Sequence, residues 1–409
     1  MSTGIGGTWP AAALATLSDM SQGTVAIEAA EYQQRLDQVQ ALMQAQGIAA
    51  LYLNAGANLT YFTGTRWHAS ERLVGALLPA RGAPHYLAPA FERATLADCM
   101  TIAGPIHVWD EHDSPYQLFI DVLAQIGVAA APAAPARIAL CPNTAFFMAE
   151  GIRALAAGYA LENGQPLTQH CRSRKSAAEI ALMQRAKDMT MAVHRATASM
   201  LRAGITTVEV EQFIEQAHRK VGASGSYFCI VLFGEATAYP HGVSHVQTLR
   251  DGDMVLIDTG CKHRDYISDI TRTYVYGTPS AHQRAVWNSE QAAQRAAFVA
   301  AQPGVPCGAV DRAARLSLEA DGYGPGYKLP GLPHRTGHGI GLEIHEGPYL
   351  VGNDDTALAP GMCFSNEPMI CIPGQFGVRH EDHFYMTADG PRWFTQPAHS
   401  IDDPFGIGA

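Results

Sequence analysis

Four acidic residues stand where a folded chain can least easily keep them, inside stretches that otherwise read as buried strand. Asp258 closes the apolar run DMVLID (253–258), Asp269 sits in YISDITRTYVY (266–276), Glu367 follows CFSN within 362–372, and Glu381 lies in GVRHED within 377–387. β-branched and aromatic residues suit a pleated, buried surface. A carboxylate carried into such a surface is costly unless it is paired or bound to a metal. Whatever fold the chain adopts must bring positive charge to these positions.

A second stretch, HRTGHGIGLEIHEGP (334–348), sets His334, His338 and His345 beside Glu343 and Glu346 among glycines that let backbone and ligand come close. Histidine serves both as metal ligand and as general acid or base. Four carboxylates and an imidazole cannot share one pocket without cations, because like charges would hold some of the acids protonated. Two divalent ions would balance them. Oxygen donors with a single nitrogen and no thiolate favour Mn²⁺ over a structural Zn²⁺ site, with Zn²⁺, Co²⁺ or Fe²⁺ also able to bind. Strand alternation puts Arg379, Glu381 and His383 on one face and His380 and Asp382 on the other. HEDH is not a zincin motif, since its histidines are too close and in strand-like sequence. GHGIG (337–341) lacks the last glycine and the strand-to-helix setting of a dinucleotide loop.

The rest of the chain supplies two domains, as its 409 residues suggest. Residues 1–26 read as a flexible tail, with no basic residue before Arg35 to open a signal peptide. Apolar positions at helical spacing over 28–46, stopped by Gly47, begin an α/β domain spanning 27–165. Strands are expected at 49–54, 73–78, 85–88 and 138–141, and helices at 114–125 and 145–155. Periodicity fades over 158–174, so 166–175 is taken as a linker. Ser176 and Glu179 form a capping box that opens a long helix to about residue 202 and a second domain, 176–409. Gly204-Ile205 with Val210-Glu211 is echoed by Gly304-Val305 with Val310-Asp311, which suggests a duplicated helical pair.

The formal charge of −10 argues against a nucleic-acid binder, which needs clustered cations. No apolar run is long enough to span a membrane. The eight cysteines form no C-x-x-C pair and read as reduced thiols of a cytoplasmic protein, Cys261 and Cys363 included.

Taken in order, VLIDTG, YISDITRT, HRTGHGIGLEIHE, SNEP and GVRHED resemble the pita-bread metallopeptidases: prolidase, Xaa-Pro aminopeptidase, methionine aminopeptidase and the related creatinase. The resemblance covers about 175–390 and implies an α+β fold, a duplicated α/β unit with a curved antiparallel sheet. The leading α/β domain is similar in layout to that of prolidase, aminopeptidase P and creatinase. The resemblance further implies Asp258, Asp269, His338, Glu367 and Glu381 as ligands of two metal ions. Catalytic roles fall to His241, His345 and Glu367, and substrate contacts to His241, His334, His345 and Arg379. The implied reaction is hydrolysis of Xaa-Pro bonds, in dipeptides first, by hydroxide activated between the two ions. The alternatives are an Xaa-Pro aminopeptidase acting on longer peptides and a creatinase-like C–N hydrolase. A homodimer is implied too, with Trp67, His68 and Arg72 weighed equally as interface and as ordinary packing. His245, His263, His380 and His383 are read as structural.

Overall fold

The computed structural model describes residues 3–408. They form two compact units, 27–172 and the remainder, residues 3–26 joining 173–408.

In the first unit, helix Ala29–Gln46 stops at Gly47, whose φ of 70° is left-handed. The six-stranded sheet runs in the order Ile106–Trp109, His85–Pro89, Gly75–Pro79, Ile48–Asn54, Ala136–Leu140, Tyr159–Asn163. Pairing is antiparallel between the three strands from Ile48 to Pro89 and parallel elsewhere. Tyr52, Leu77, Leu87, Phe119 and Ile138 pack its core. The expected linker instead contains helix Gln165–Arg172, and the contact boundary falls between Arg172 and Ser173. Pro166 marks a helical first turn there, where its missing N–H costs nothing.

The second unit repeats one arrangement twice. Helices Ala177–Met200 and Thr207–Lys220 form the first pair, and Ala281–Ala300 and Cys307–Ala320 the second. The connection recurs bond for bond. Gly204 donates to Leu249 O and Leu249 to Ile205 O, while Gly304 donates to Leu358 O and Leu358 to Val305 O, all at 2.8–2.9 Å. Ser176 and Glu179 form the reciprocal capping box. Each pair covers its own core: Val193, Phe213, Val255 and Ile257 in the first, Trp287, Val310, Phe364 and Phe384 in the second. Strand Met254–Gly260 serves both, because Met254 and Leu256 belong to the second core and Val255 and Ile257 to the first. A strand buried on both faces reads as one continuous apolar run. Its carboxylate, Asp258, continues the face of Met254 and Leu256.

Residues 3–26 do not form the flexible tail read from the sequence. Helix Pro10–Ala15 lies there, and Ile5, Ala13 and Leu17 are buried in the first core. Burying a side chain the size of Ile5 or Leu17 contributes about 1.5–3 kcal/mol.

The sheets are open and antiparallel. Phe228–Phe233, Met254–Gly260 and Ile270–Val275 make one. Glu346–Leu350, Gly337–Gly339, Cys363–Asn366, Asp382–Thr387 and Gly390–Trp393 make another, and Met369–Ile372 pairs with Phe376–Arg379. Three strands that the sequence suggests as continuous are interrupted, at Ser268-Asp269, Glu367-Pro368 and His380-Glu381.

Candidate metal centre

Those interruptions carry three of the four anomalous acids. Outside the ladder the backbone still finds partners: Glu367 N donates to Thr336 O at 2.8 Å and Glu381 N to Thr271 O at 3.1 Å. Asp258 remains in its strand opposite Thr271. His338 comes from the short strand Gly337–Gly339, held between two others. An added Cβ on Gly337 would stand 2.1 Å from Ser365 O, and on Gly339 2.4 Å from Glu346 O. The glycines thus admit neighbouring strands rather than a ligand.

The structure brings these side chains together. His338 Nε2 lies 3.2 Å from Glu367 Oε1 and 3.6 Å from Asp269 Oδ2. Ligand atoms of His338, Glu367 and Glu381 fall within 4.8 Å of one another, as do those of Asp269, His338 and His345. Arg379 donates to Asp258 Oδ2 at 2.5 Å, to Pro240 O at 2.9 Å and to Thr271 Oγ1 at 3.2 Å. Thr271, which the sequence did not single out, also donates to Glu381 Oε2 at 2.9 Å. Asp258 Oδ1 and Glu381 Oε1 are buried with no hydrogen-bond partner.

The electrostatics describe a site short of positive charge. Burial, reinforced by the charges of Asp269 and Glu367, pushes the Asp258 carboxyl up to about 8 despite Arg379. Glu381 is raised well above the carboxylate range by burial and the same neighbouring acids. Burial opposes ionisation of Glu367, but its hydrogen bond to His338 and the charges of His338, His334 and Arg379 outweigh it and lower its pKa. Burial likewise disfavours charge on His338, yet hydrogen bonds to Asp269 and Glu367 lift it to about 9. Protons occupy the positions that cations would fill. The tautomer agrees: His338 Nδ1 lies 3.0 Å from Gly339 O and must donate to it, leaving Nε2 as the atom that faces the acids. The orphaned oxygens and this donor set fit divalent cations.

A cavity of about 630 Å³ opens from Glu367 and Arg379 past His334, His345, His241, Arg335 and Tyr239. That volume suits a small ligand. The His345 ring sits 4.2 Å from the His338 ring, and burial with the charges of His338 and Arg335 presses its pKa down to about 4. His334 Nδ1 donates to Arg335 O at 2.7 Å, which leaves Nε2 a buried acceptor without a partner. His241 is exposed at the rim. Arg335 rests on the Tyr349 ring at 4.4 Å.

Other residues are occupied elsewhere. Asp382 accepts from Arg272, and Glu346 pairs with Lys175 at 2.6 Å. In the first unit Arg72 pairs with Glu111 at 3.1 Å. His383, read from the sequence as structural, lies beside the acids. Its ring lies 3.5 Å from Glu381, and its ligand atom groups with those of Asp269 and Glu381. Strand alternation had already put it on the face of Glu381, which was the available signal.

Comparison with known proteins gives a consistent picture. The profile of metallopeptidase family M24 matches residues 181–388, and that of the creatinase/prolidase N-terminal domain matches 35–174. Probable dipeptidase PepE of Mycobacterium tuberculosis is 35% identical over 373 residues, 90% of this chain and 95% of the relative. The crystal structure of dipeptidase PepE from Mycobacterium ulcerans superposes with a TM-score of 0.84 at 33% identity, covering 92% of this chain and 98% of that one. A prolidase from Thermococcus sibiricus gives 0.79 at 28% identity, with 89% and 97% covered.

Proposed function

The chain belongs to metallopeptidase family M24, and from that premise we propose that it hydrolyses Xaa-Pro bonds, dipeptides first, with two divalent cations held by Asp258, Asp269, His338, Glu367 and Glu381. The observation that carries this reading is the cluster of buried acids, with orphaned oxygens on Asp258 and Glu381, opening into a cavity lined by three histidines. Mn²⁺ is the cation proposed for the oxygen-rich set. Bound there, the cations would lower the pKa of water into the neutral range and polarise the scissile carbonyl.

The side chains supply the rest. Glu367 lines the cavity and its pKa is lowered, so it is ionised and able to accept a proton from water. It then passes that proton to the leaving nitrogen. In an Xaa-Pro bond that nitrogen carries no hydrogen, so the site must protonate it. His345, pressed down to about 4, is neutral at pH 7 and donates one N–H toward developing oxyanion charge, with His241 a second donor from the cavity rim. His334 Nε2 accepts a hydrogen bond from the substrate. Arg379 shares the cavity wall and holds Asp258 in place.

A homodimer and a cytoplasmic location belong to this reading. Free thiols on all eight cysteines support the latter, and among the described residues no helix is long and apolar enough to cross a membrane. The test is hydrolysis of Ala-Pro, Gly-Pro, a longer Xaa-Pro peptide and creatine by the Mn²⁺-loaded protein. Turnover of the two dipeptides is expected. Failure on every Xaa-Pro substrate, with metal shown to be bound, defeats the proposal, and cleavage of the longer peptide alone reassigns it.

A further inference from the structure

His383 lies outside the ligand set that the resemblance implies, yet nothing in the protein satisfies it. Its ring is fully buried, and neither Nδ1 nor Nε2 has a hydrogen-bond partner. The atom it faces, Glu381 Oε1, is orphaned as well. The two stand 3.5 Å apart, beyond a good hydrogen bond. That separation has another meaning. Two donors each about 2.1 Å from one cation are separated by about 3.0 Å at a right angle and about 3.4 Å at a tetrahedral one. One ligand atom from each of Asp269, Glu381 and His383 lies within 4.8 Å of the others, all three residues being buried.

The backbone explains how the ring arrives there. Strand Asp382–Thr387 pairs with Cys363–Asn366, with His383 opposite Ser365. Two residues earlier, Glu381 leaves the ladder but keeps the same side, so both side chains point to the acids. Glu381 also groups with His338 and Glu367, and Asp269 with His338 and His345, so both acids are common to two sets of donors.

We propose that His383 is a metal ligand, a second nitrogen donor serving the cation held by Asp269 and Glu381. This rests on the metal centre proposed above and changes its chemistry. The centre would then carry two nitrogen donors, His338 and His383, where the resemblance supplies only one. Imidazole suits Zn²⁺, Co²⁺ and Fe²⁺ better than Mn²⁺. His383 therefore biases one of the two positions toward these ions.

The test reads the metal directly. Protein stripped by chelator and reloaded with Mn²⁺ is examined by pulsed electron paramagnetic resonance for imidazole nitrogen couplings, in a His345→Ala background so that the histidine at the cavity mouth is not counted. Two imidazoles are expected, falling to one on His383→Thr, and the Zn²⁺-over-Mn²⁺ preference of the position that His383 serves should drop at least tenfold by competition titration. His383→Gln, which keeps an amide oxygen at similar reach, should retain stoichiometry better than the threonine variant. A single imidazole with His383 present, or unchanged affinities in a folded His383→Thr protein, overturns the assignment. Should the variant fail to fold, the coupling count with His383 in place still decides. Two bound metals with one imidazole defeat this inference alone, whereas no bound metal defeats the proposed centre with it.

Discussion

Glu381 and Asp382 are neighbours in sequence, both buried, and treated in opposite ways by the two regions they face. Asp382 points toward helix Ala281–Ala300 and accepts from Arg272 at 2.7 and 3.2 Å, from Gln294 at 3.2 Å and from Thr395 at 2.6 Å. Glu381 points toward the cavity side, accepts from Thr271 alone and leaves Oε1 bare. A buried acid whose donors the protein provides is part of the scaffold, and one whose donors are withheld is shaped for a cation. Glu290 limits the rule. Both its oxygens lack donors and it lies 3.4 Å from His380, but burial raises its pKa well above the usual range, so it stays neutral. What separates the metal face is the convergence of several such acids.

The largest expected effect breaks the metal face without touching the scaffold. Glu381→Gln should lower kcat/KM at least ~10³-fold, about 4 kcal/mol, while the metal-stripped protein unfolds in urea at the same or a higher midpoint, since an acid held neutral by burial becomes a neutral amide. A fall in that midpoint would place Glu381 in the scaffold. The mirror substitution, Asp382→Asn, leaves Arg272 buried without its counter-charge and should cost about 3 kcal/mol of stability. If the loss in urea unfolding is under about 1 kcal/mol, the division between the two faces fails. Next comes His345→Ala, which removes a donor at the cavity mouth and should reduce kcat ~10²-fold, about 2.7 kcal/mol, with metal content unchanged. Loss of metal would move His345 into the ligand set.

Much of this division was legible in the sequence because it follows strand alternation: Arg379, Glu381 and His383 on one side, His380 and Asp382 on the other. What alternation cannot show is where a strand stops pairing. The runs around Asp269, Glu367 and Glu381 stay apolar on both sides of the break, since the backbone leaves the ladder without leaving the core. His383 was passed over because its significance depends on Glu381 and Asp269 arriving beside it from the fold. In the first unit the two strands that went unread, Ile106–Trp109 and Tyr159–Asn163, are the edges of the sheet, where partial burial weakens the apolar pattern. The N-terminal residues lacked a pattern as well, because scattered side chains do their packing, Ile5, Ala13 and Leu17 buried and Leu14 and Met20 partly so.

The smallest expected effect follows from the protons that the metal face holds. Asp258 is raised from 3.8 to about 8 and His338 from 6.5 to about 9 in the folded protein. Between pH 7 and 8.5 the folded state therefore binds protons that the unfolded chain has released, and stability falls as pH rises. One extra bound proton corresponds to about 1.4 kcal/mol per pH unit. Lys187, depressed by burial to about 8, acts in the opposite sense within this window, and so at its lower end do buried histidines such as His194 and His218, depressed to about 3 and about 4. In urea titrations the metal-stripped protein should thus lose about 1 kcal/mol per unit over that window relative to the Mn²⁺-loaded protein. With Mn²⁺ saturating, cations replace the protons, so the decline should vanish and metal affinity should rise with pH. Identical slopes with and without Mn²⁺ from pH 7 to 8.5 would mean that the acids of the cavity face are satisfied by the protein after all, as Asp382 is.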